Sequence, residues 1–292
     1  MHLCGKIHLM QIPKRLRPLV EDGLISEVIS QLMSGKEATV YVVRCGSEIR
    51  CAKVYKEAHK RSFKQAALYQ EGRKTRNSRR SRAMEKGSKF GRSEQEEVWQ
   101  SAEVDALYLL AEAGVRVPEP YGCTDGVLLM ELVTDAEGNV APRLNDVTMS
   151  EGKAIRDHAI VMRYVTRMLC AGLVHGDLSE FNVLVDDEGP VIIDLPQAVN
   201  AAGNNNARKM LERDIENITN YYAQYVPELA EMKYAQEIWK LYEEGELTPD
   251  SELTGMFEES AVTANVGDVM QVIDAAREEE EERVQRMMDS DV

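Results

Sequence analysis

Acidic and amide side chains recur at short spacing in LVHGDLSEFNVLV, at residues 173–185, and in VIIDLPQAV, at residues 191–199. Asp177 precedes Asn182 by five positions, and Asp194 ends the next apolar run. Two carboxylates and one carboxamide at these positions can face one point. There, one acid accepts the proton of an attacking hydroxyl, while the amide and the other acid hold Mg²⁺ against nucleotide phosphates. Hard oxygen ligands suit Mg²⁺, or Mn²⁺ in its place, and do not suit zinc. The spacing therefore predicts phosphoryl transfer.

An earlier part of the chain predicts a nucleotide clamp. The sequence SGKEATVY, at residues 34–41, places one glycine between a predicted helix and a strand, and Lys53 lies on the returning strand in CAKVY. A lysine between apolar residues on a buried strand needs an anionic partner, because burying an unpaired ammonium is costly. ATP phosphates would serve, and so would Glu103 on a later helix. The glycine segment is weak evidence alone, since it lacks both the G-x-G-x-x-G and the Walker patterns.

The elements that must position these residues begin with two predicted helices and a hairpin. Residues 13–33 carry apolar side chains at roughly helical spacing, interrupted by Gly23, which predicts two short helices. The β-branched and aromatic runs at residues 39–43 and 49–55 are separated by a turn-like Cys-Gly-Ser, which predicts a β-hairpin.

Two segments of opposite charge stand out against the net charge of −15. Residues 56–92 contain 13 Lys and Arg against 3 Asp and Glu, whereas residues 243–292 contain 16 Asp and Glu against 3 Lys and Arg. Residues 56–95 have too few apolar side chains to pack, so we expect a mobile segment or one that orders on binding. The acidic run predicts a helix that frays into a solvated tail.

The remaining pattern predicts a helical second half. A capping box at Ser93 and Glu96 opens a helix that extends through Ala113. Proline-bounded strands, a long amphipathic helix, three short strands and two further helices follow, in this order: 115–123, 126–133, 150–171, 173–175, 182–186, 191–194, 207–225 and 227–242. The spacing of the long helix predicts a buried face formed by Ile155, Ala159, Met162, Val165 and Leu169. A strand-rich part before a helix-rich part predicts an α+β fold of two lobes with a cleft between them.

Composition narrows the class of protein. The chain has 292 residues, and 43% hydrophobic content is enough for a sizeable core. No apolar run reaches the eighteen residues of a membrane span, and the start MHLCGKIHLM is too polar for a signal peptide, so we expect a cytosolic protein without membrane contact. Five scattered cysteines without a CxxC pair support neither a disulfide framework nor a zinc site.

Taken together, SGKEATVY, AKVYK, LVHGDLSEFNVLV and IIDLPQAV resemble the RIO atypical protein kinases over about residues 20–225. The HGD…N pattern alone is shared with aminoglycoside-type small-molecule kinases, but LSEFN, DLPQ and the glycine-poor loop favour RIO. Because little chain precedes Ser34, we expect the shorter type without an N-terminal winged helix. The implied fold is a two-lobed protein-kinase-like fold without the long activation segment. Its expected segments are 1–33, helical; 34–132, the β-rich N-lobe; 133–242, the helical C-lobe; and 243–292, the acidic helix or tail.

The resemblance also implies roles for individual residues. Asp177 would be the catalytic base, Asn182 and Asp194 would hold Mg²⁺, and Asp194 is associated with an aspartyl-phosphate intermediate. Lys53 would orient the ATP phosphates and pair with Glu103. The implied nucleotide-binding residues are Ser34, Gly35, Lys36, Glu37, Val40, Lys53, Glu103, Met130, Glu131 and Leu132. For Asp214 two alternatives stay open, an anchor for the catalytic loop or a helix-surface acid, and for His175 we expect a loop-supporting role.

Three functions remain open at this stage. The first is a serine/threonine protein kinase of RIO type with ATPase activity, acting on an unknown protein or on itself. The second is a small-molecule kinase, which usually builds its substrate pocket from a helical insertion after the hinge, and residues 134–150 are short for that purpose. The third is an ATP-switched assembly factor whose basic segment reaches RNA or a pre-ribosomal particle. A solvated loop that closes over its own nucleotide explains the basic segment equally well.

Overall fold

The computed structural model describes residues 11–35, 37–56 and 102–257. Predictions made for Lys36, for residues 57–101 and for residues 258–292 lie outside this part of the chain. The chain divides into two compact units, Met1–Met256 and Phe257–Val292. Of the second unit, only Phe257 is among the described residues. None of the helices within the described ranges has the length and apolar character needed to cross a membrane.

A five-stranded antiparallel sheet forms the first part of the fold. Its order is β1-β2-β3-β5-β4. The strands are β1 (Glu27–Ser34), β2 (Ala38–Cys45), β3 (Glu48–Tyr55), β4 (Pro120–Thr124) and β5 (Val127–Glu131). The predicted hairpin is confirmed as β2 and β3, whose turn contains Gly46 at φ +63°. That φ lies in the left-handed region, which glycine adopts without steric cost.

The prediction of two helices in residues 13–33 is half wrong. Helix α1 spans Arg17–Glu21, but the second predicted helix is the edge strand β1. β1 pairs with β2 and carries register shifts between Val28 and Ser30 and between Gln31 and Met33. Pairing with β2 satisfies backbone groups that a short helix would leave open at its ends. Tertiary pairing therefore overrides the weak helical spacing.

Strand β3 divides its side chains between two environments because neighbouring residues of a strand point to opposite faces. Ala52 and Val54 pack into a core shared with α1. Lys53 and Tyr55 point to the other face, where Tyr55 belongs to the larger core of the protein. The sheet therefore presents Lys53 toward the rest of the chain.

Helix α2, whose described part covers residues 102–112, supplies an acid to the same place. Its buried residues Glu103, Ala106, Leu107 and Leu110 follow the i, i+3, i+4, i+7 spacing of one helical face. The helix ends before Gly114, at φ +74°, as the sequence predicts. Glu103 consequently lies on the core side of the helix.

The second part of the fold is helical. It contains α3 (Glu151–Cys170), α4 (Ala207–Ala223), α5 (Tyr234–Glu243) and short 3₁₀ helices at Leu144–Asp146 and Pro227–Glu231. The N-cap Ser150 of α3 accepts a hydrogen bond from the Lys153 backbone N–H at 3.3 Å. These three α-helices supply nearly half of the buried residues of the larger core.

Two details of the helical prediction are wrong. The predicted helix over residues 227–242 is interrupted, because the backbone N–H of Lys233 donates to the Gly255 carbonyl at 2.7 Å, instead of continuing the preceding 3₁₀ helix. On α3, Ile155 and Ala159 are exposed, whereas Met162, Val165 and Leu169 are buried as expected. The buried face of α3 is rotated toward the side that packs on α4 and α5.

Two short ribbons hold the loops between α3 and α4. Strands β6 (Leu173–Val174) and β9 (Val199–Asn200) pair with each other, as do β7 (Val183–Val185) and β8 (Pro190–Ile192). The loop that contains Asp177 therefore leaves β6 and enters β7, and Asp194 follows β8. Between Asp194 and α4 the chain has room for β9 and turns alone.

Candidate active site

Lys53 and Glu103 form a buried ion pair. The Lys53 Nζ donates to Glu103 Oε1 at 2.6 Å, and the two residues are 8% and 3% exposed. The other oxygen, Glu103 Oε2, accepts the Tyr55 hydroxyl at 2.5 Å. Sequence reasoning missed Tyr55, although its position two residues after Lys53 on one strand places both side chains on the same face. The carboxylate of Glu103 is thus held at both oxygens.

The charge state of Lys53 follows from its two acidic neighbours. Burial alone would lower the pKa of Lys53, but Glu103 and Asp194 raise it above its ordinary value, so the ammonium stays charged. Burial and the neighbouring Glu103 raise the pKa of Tyr55, which therefore keeps its proton and remains a donor. The charged ammonium of Lys53 consequently lines the cleft.

Asp194 brings the second part of the fold to Lys53. Its Oδ1 accepts from Lys53 Nζ at 2.8 Å. Burial alone would raise the pKa of the Asp194 carboxyl, but the neighbouring Lys53 ammonium holds this pKa below its usual range. The backbone of Asp194 has φ +66°, a left-handed conformation that is uncommon for a residue other than glycine. Such strain persists where the surroundings hold it, and it clusters at functional sites.

Asp177 lies on an exposed turn, and its carboxylate has one described side-chain donor. Gln197 Nε2 donates to Asp177 Oδ2 at 2.9 Å. Asn182 Nδ2 donates to the backbone carbonyl of Asp177 at 2.8 Å, which leaves the amide Oδ1 as the atom that can meet a cation. Partial burial raises the pKa of Asp177 above its ordinary value. The arrangement favours proton acceptance by this carboxylate near neutral pH.

Asp214 holds the loop around Asp177 from below. It is 1% exposed on α4, and its oxygens accept the backbone N–H groups of Gly176 at 2.7 Å and Leu178 at 3.0 Å. Burial raises the pKa of Asp214 to about 7, although these two hydrogen bonds act in the opposite direction. Of the two alternatives for Asp214, the structure therefore shows the anchor and not the surface acid.

His175 supports the same loop. Its side chain is buried, Nε2 lies 3.1 Å from the Ile193 carbonyl, and Nδ1 accepts the backbone N–H of Asp177 at 3.3 Å. With Nδ1 accepting, Nε2 carries the proton and donates to Ile193. Burial lowers the pKa of His175 and keeps the ring neutral. These contacts agree with the loop-supporting role expected for His175.

A cleft of about 610 Å³ lies between the sheet and the helical part, a volume within the range of small-molecule sites. Nine predicted site residues line it: Gly35, Glu37, Val40, Lys53, Met130, Glu131, Leu132, Asn182 and Asp194. Ser34 and Glu103 contact its lining residues, since Lys56 Nζ bridges Ser34 Oγ and the Gly35 carbonyl and Glu103 holds Lys53. Asp177 lies beside the cleft, because its carboxylate accepts a hydrogen bond from the lining residue Gln197.

Sequence reasoning missed more than half of the lining. The additional residues are Leu32, Met33, Ala38, Cys51, Pro118, Val133, Val140, Ala141, Pro142, Arg143, Asp146, Leu184, Ile193 and Gln197. Eight of them come from β1, which was predicted as a helix, and from the connection after β5, which carried no motif, and the other six lie beside predicted strands and motifs. For Cys51 a signal existed, because it precedes Lys53 by two positions on β3. Burial raises the pKa of the Cys51 thiol to about 12, so it lines the cleft as an uncharged group.

The connection between the two parts of the fold is pinned by an ion-pair cluster. Glu131 accepts two hydrogen bonds from Arg116, both at 2.7 Å, and Arg116 also reaches Asp186 at 3.3 Å. The side chain of Glu131 is held by Arg116. Glu131 lines the cleft together with its chain neighbours Met130 and Leu132. A contact of residues 130–132 with the nucleotide stays a prediction.

The donor set fits a magnesium ion. Asn182 and Asp194 line the same cleft and offer one amide oxygen and one carboxylate. Across the described ranges, no cluster of three or more His, Cys, Asp or Glu side chains is placed to hold a metal. Mg²⁺ usually takes one or two protein ligands and completes its shell with phosphates and water. The residues present therefore fit Mg²⁺ bound together with a nucleotide.

Comparison with known proteins matches residues 39–236 to the family model of the RIO domain. The RIO-type serine/threonine-protein kinase Rio1 of Haloferax volcanii is 33% identical over 207 residues, which cover 70% of this chain and 66% of the relative. The serine/threonine-protein kinase RIO1 of Homo sapiens is 31% identical over 205 residues, 70% of this chain and 34% of the relative. The chain thus spans between about one third and two thirds of the length of these relatives.

A solved structure extends the comparison to the fold. The crystal structure of the Rio2 kinase–ADP/Mg²⁺–phosphoaspartate complex from Chaetomium thermophilum has a TM-score of 0.53 and 22% identity, and the match covers 73% of this chain and 60% of that chain. The predicted two-lobed, protein-kinase-like fold with a β-rich first lobe and a helical second lobe is confirmed.

Proposed function

The chain belongs to the RIO domain family, and on that premise we propose that it is an ATP- and Mg²⁺-dependent serine/threonine protein kinase with ATPase activity. One observation carries the proposal. Lys53, Asn182 and Asp194 line a single cleft of about 610 Å³, and Asp177 lies beside it. Names of relatives support the reaction class, since Rio1 of Haloferax volcanii is called a serine/threonine-protein kinase.

Each polar group of the site has a part in the proposed reaction. Lys53, fixed by Glu103, would contact the nucleotide phosphates, and Asn182 and Asp194 would hold Mg²⁺. When bound, Mg²⁺ neutralises charge that develops on the phosphates. Asp177 would accept the proton of the attacking hydroxyl while that oxygen bonds to the γ-phosphorus, the bond from the γ-phosphorus to the bridging oxygen breaks, and ADP leaves.

Two partners keep Asp177 in position for that step. Gln197 donates to Oδ2, which leaves Oδ1 for the incoming hydroxyl, and Asn182 holds the backbone carbonyl. Asp214 fixes the peptide groups on either side. The base therefore has few conformations to lose before the reaction, which lowers the entropic cost of the transition state.

Replacing Gln197 by Ala should move the acidic limb of the pH–rate profile. The hydrogen bond from Gln197 favours the charged carboxylate, so its loss raises the pKa of Asp177 further above its ordinary value. Because a base acts in its unprotonated form, the limb moves to higher pH. The measurement is ATP turnover as a function of pH. A rate that drops equally at all pH values would show that Gln197 acts on the cleft and not on Asp177.

The acceptor of the phosphoryl group is open to two proposals. Only about twelve residues connect Asp194 to α4. The chain therefore offers little surface of the kind on which conventional kinases bind a peptide. The first acceptor candidate is a hydroxyl group of a protein, either another protein or this chain itself. Asp194 is the second acceptor candidate, since its carboxylate lines the cleft and the Rio2 structure from Chaetomium thermophilum contains a phosphoaspartate. A pre-ribosomal or RNA partner and a cytosolic location stay predictions from the sequence.

Incubation with γ-labelled ATP tests the proposal. We expect ATP hydrolysis and label on the protein with Mg²⁺ present, loss of both on adding a chelator, and recovery on restoring Mg²⁺. Label that hydroxylamine releases identifies an acyl phosphate such as phosphoaspartate, whereas label that survives identifies Ser or Thr. Turnover of a small hydroxyl or amine acceptor that exceeds both would favour the small-molecule kinase. Absence of hydrolysis with every acceptor would refute the enzyme.

A further inference from the structure

Arg143 lies at the mouth of the cleft on the connection between the two parts of the fold. Its backbone forms a β-bridge with Leu184, the second residue after Asn182. The side chain is half-buried and lines the cleft together with Lys53 and Asp194. It belongs to none of the motifs that the sequence singled out.

The guanidinium of Arg143 has a poor set of partners. Within the described part of the chain, its side chain makes one hydrogen bond, from Nη2 to the Sδ of Met33 at 2.9 Å, and no ion pair. A thioether is a weak acceptor, and a guanidinium has five N–H donors. Most of these donors therefore have no protein acceptor within the described residues and are available to a ligand in the cleft. The guanidinium can therefore bind an anion that enters the cleft.

The position of this guanidinium coincides with the expected path of the phosphate chain. Met33 directly precedes Ser34 and Gly35, which begin the turn over the cleft. Asp194, the proposed metal ligand, lines the same cleft as Arg143. The guanidinium is thus held next to the start of this turn, in the cleft that the proposed metal ligand also lines. Arginine binds phosphate oxygens in pairs, with a planar fork that lysine lacks.

We propose that Arg143 binds the phosphate chain of the nucleotide, exchanging the Met33 sulfur for phosphate oxygens when the nucleotide enters. This inference rests on the proposed function and extends it, because it adds a second cationic contact to Lys53. The two cations differ in origin. Lys53 is fixed by Glu103 from within the sheet, whereas Arg143 reaches the same space from the helical side.

Calorimetry measures the affinities for ATP and for adenosine, which lacks phosphates. Comparing the two shows whether Arg143 contacts the phosphates or only shapes the cleft. For Arg143→Gln we expect ATP affinity to fall about tenfold or more, the loss typical of one charge-assisted hydrogen-bond pair, with adenosine affinity unchanged. Arg143→Lys should recover part of the ATP affinity, because it keeps the charge without the fork. Arg156→Gln, an exposed position on α3, is the matched control and should bind both ligands like the wild type. Thermal unfolding of each variant checks that it is folded.

The outcomes distinguish the inference from the function beneath it. If the wild type and Arg143→Gln bind ATP equally, Arg143 does not contact phosphates and the inference is wrong while the kinase proposal stands. If Arg143→Gln weakens adenosine as much as ATP, the side chain shapes the cleft, and the inference is wrong as well. If the wild type binds no ATP, the proposed function fails, and the inference fails with it.

Discussion

Replacing Asp177 by Asn is expected to lower ATP hydrolysis and phosphoryl transfer by a factor of about 10²–10⁴, the contribution typical of a general base. Asn has the size of Asp, and its amide oxygen can still accept the hydrogen bond from Gln197. The loop backbone is held independently by Asp214. The substitution therefore removes the proton acceptor and leaves the geometry of the loop in place.

Turnover with labelled ATP and Mg²⁺ measures the effect of this change. Asp187→Asn, on the exposed turn between β7 and β8, removes a carboxylate of the same kind away from the cleft and should turn over ATP like the wild type. ATP binding by Asp177→Asn should also stay close to the wild type, because Lys53 and Arg143 are unchanged. If Asp177→Asn keeps its rate, another group is the base.

Replacing Lys53 by Met is expected to reduce the free energy of unfolding by about 3–5 kcal/mol, the cost of breaking a buried ion pair by removing one partner. Glu103, 3% exposed, would keep a single described donor, the Tyr55 hydroxyl. The double variant Lys53→Met with Glu103→Gln should recover most of the stability, because Gln is neutral and its amide oxygen can still accept from Tyr55. ATP binding should stay lost in both variants.

Chemical denaturation of the wild type, both single variants and the double variant forms a double-mutant cycle that isolates the pair. A coupling energy near zero would mean that Lys53 and Glu103 contribute to stability independently, contrary to the buried contact at 2.6 Å. In the double variant we expect stability to recover while ATP binding stays lost. This result assigns the ion pair to the fold and the free face of the ammonium to the nucleotide.

The local order of residues was sufficient to predict the fold class and the central acids. Asp177, Asn182 and Asp194 lie within eighteen positions of one another on loops between short apolar runs, so their spacing alone constrains where they can meet. The hairpin of β2 and β3 was likewise predictable, because a tight turn and alternating side chains are properties of neighbouring residues. Helix α3 was predicted over residues 150–171, because amphipathic spacing is also a property of neighbouring residues.

Contacts between distant residues required the tertiary structure. Lys53 is 141 positions from Asp194, and no local pattern selects that contact among many charged residues, although Glu103, 50 positions away, was predicted as the partner of Lys53. Strand β1 has helical spacing and became a strand because β2 was available for pairing. Asp214 could be a surface acid by sequence, and only the packing of α4 under the loop buries it. Arg143 belongs to no motif, and the role proposed for it follows only from its place in the cleft. Local spacing therefore predicted which side chains could carry out the proposed chemistry, while long-range packing decided which side chains hold them in place.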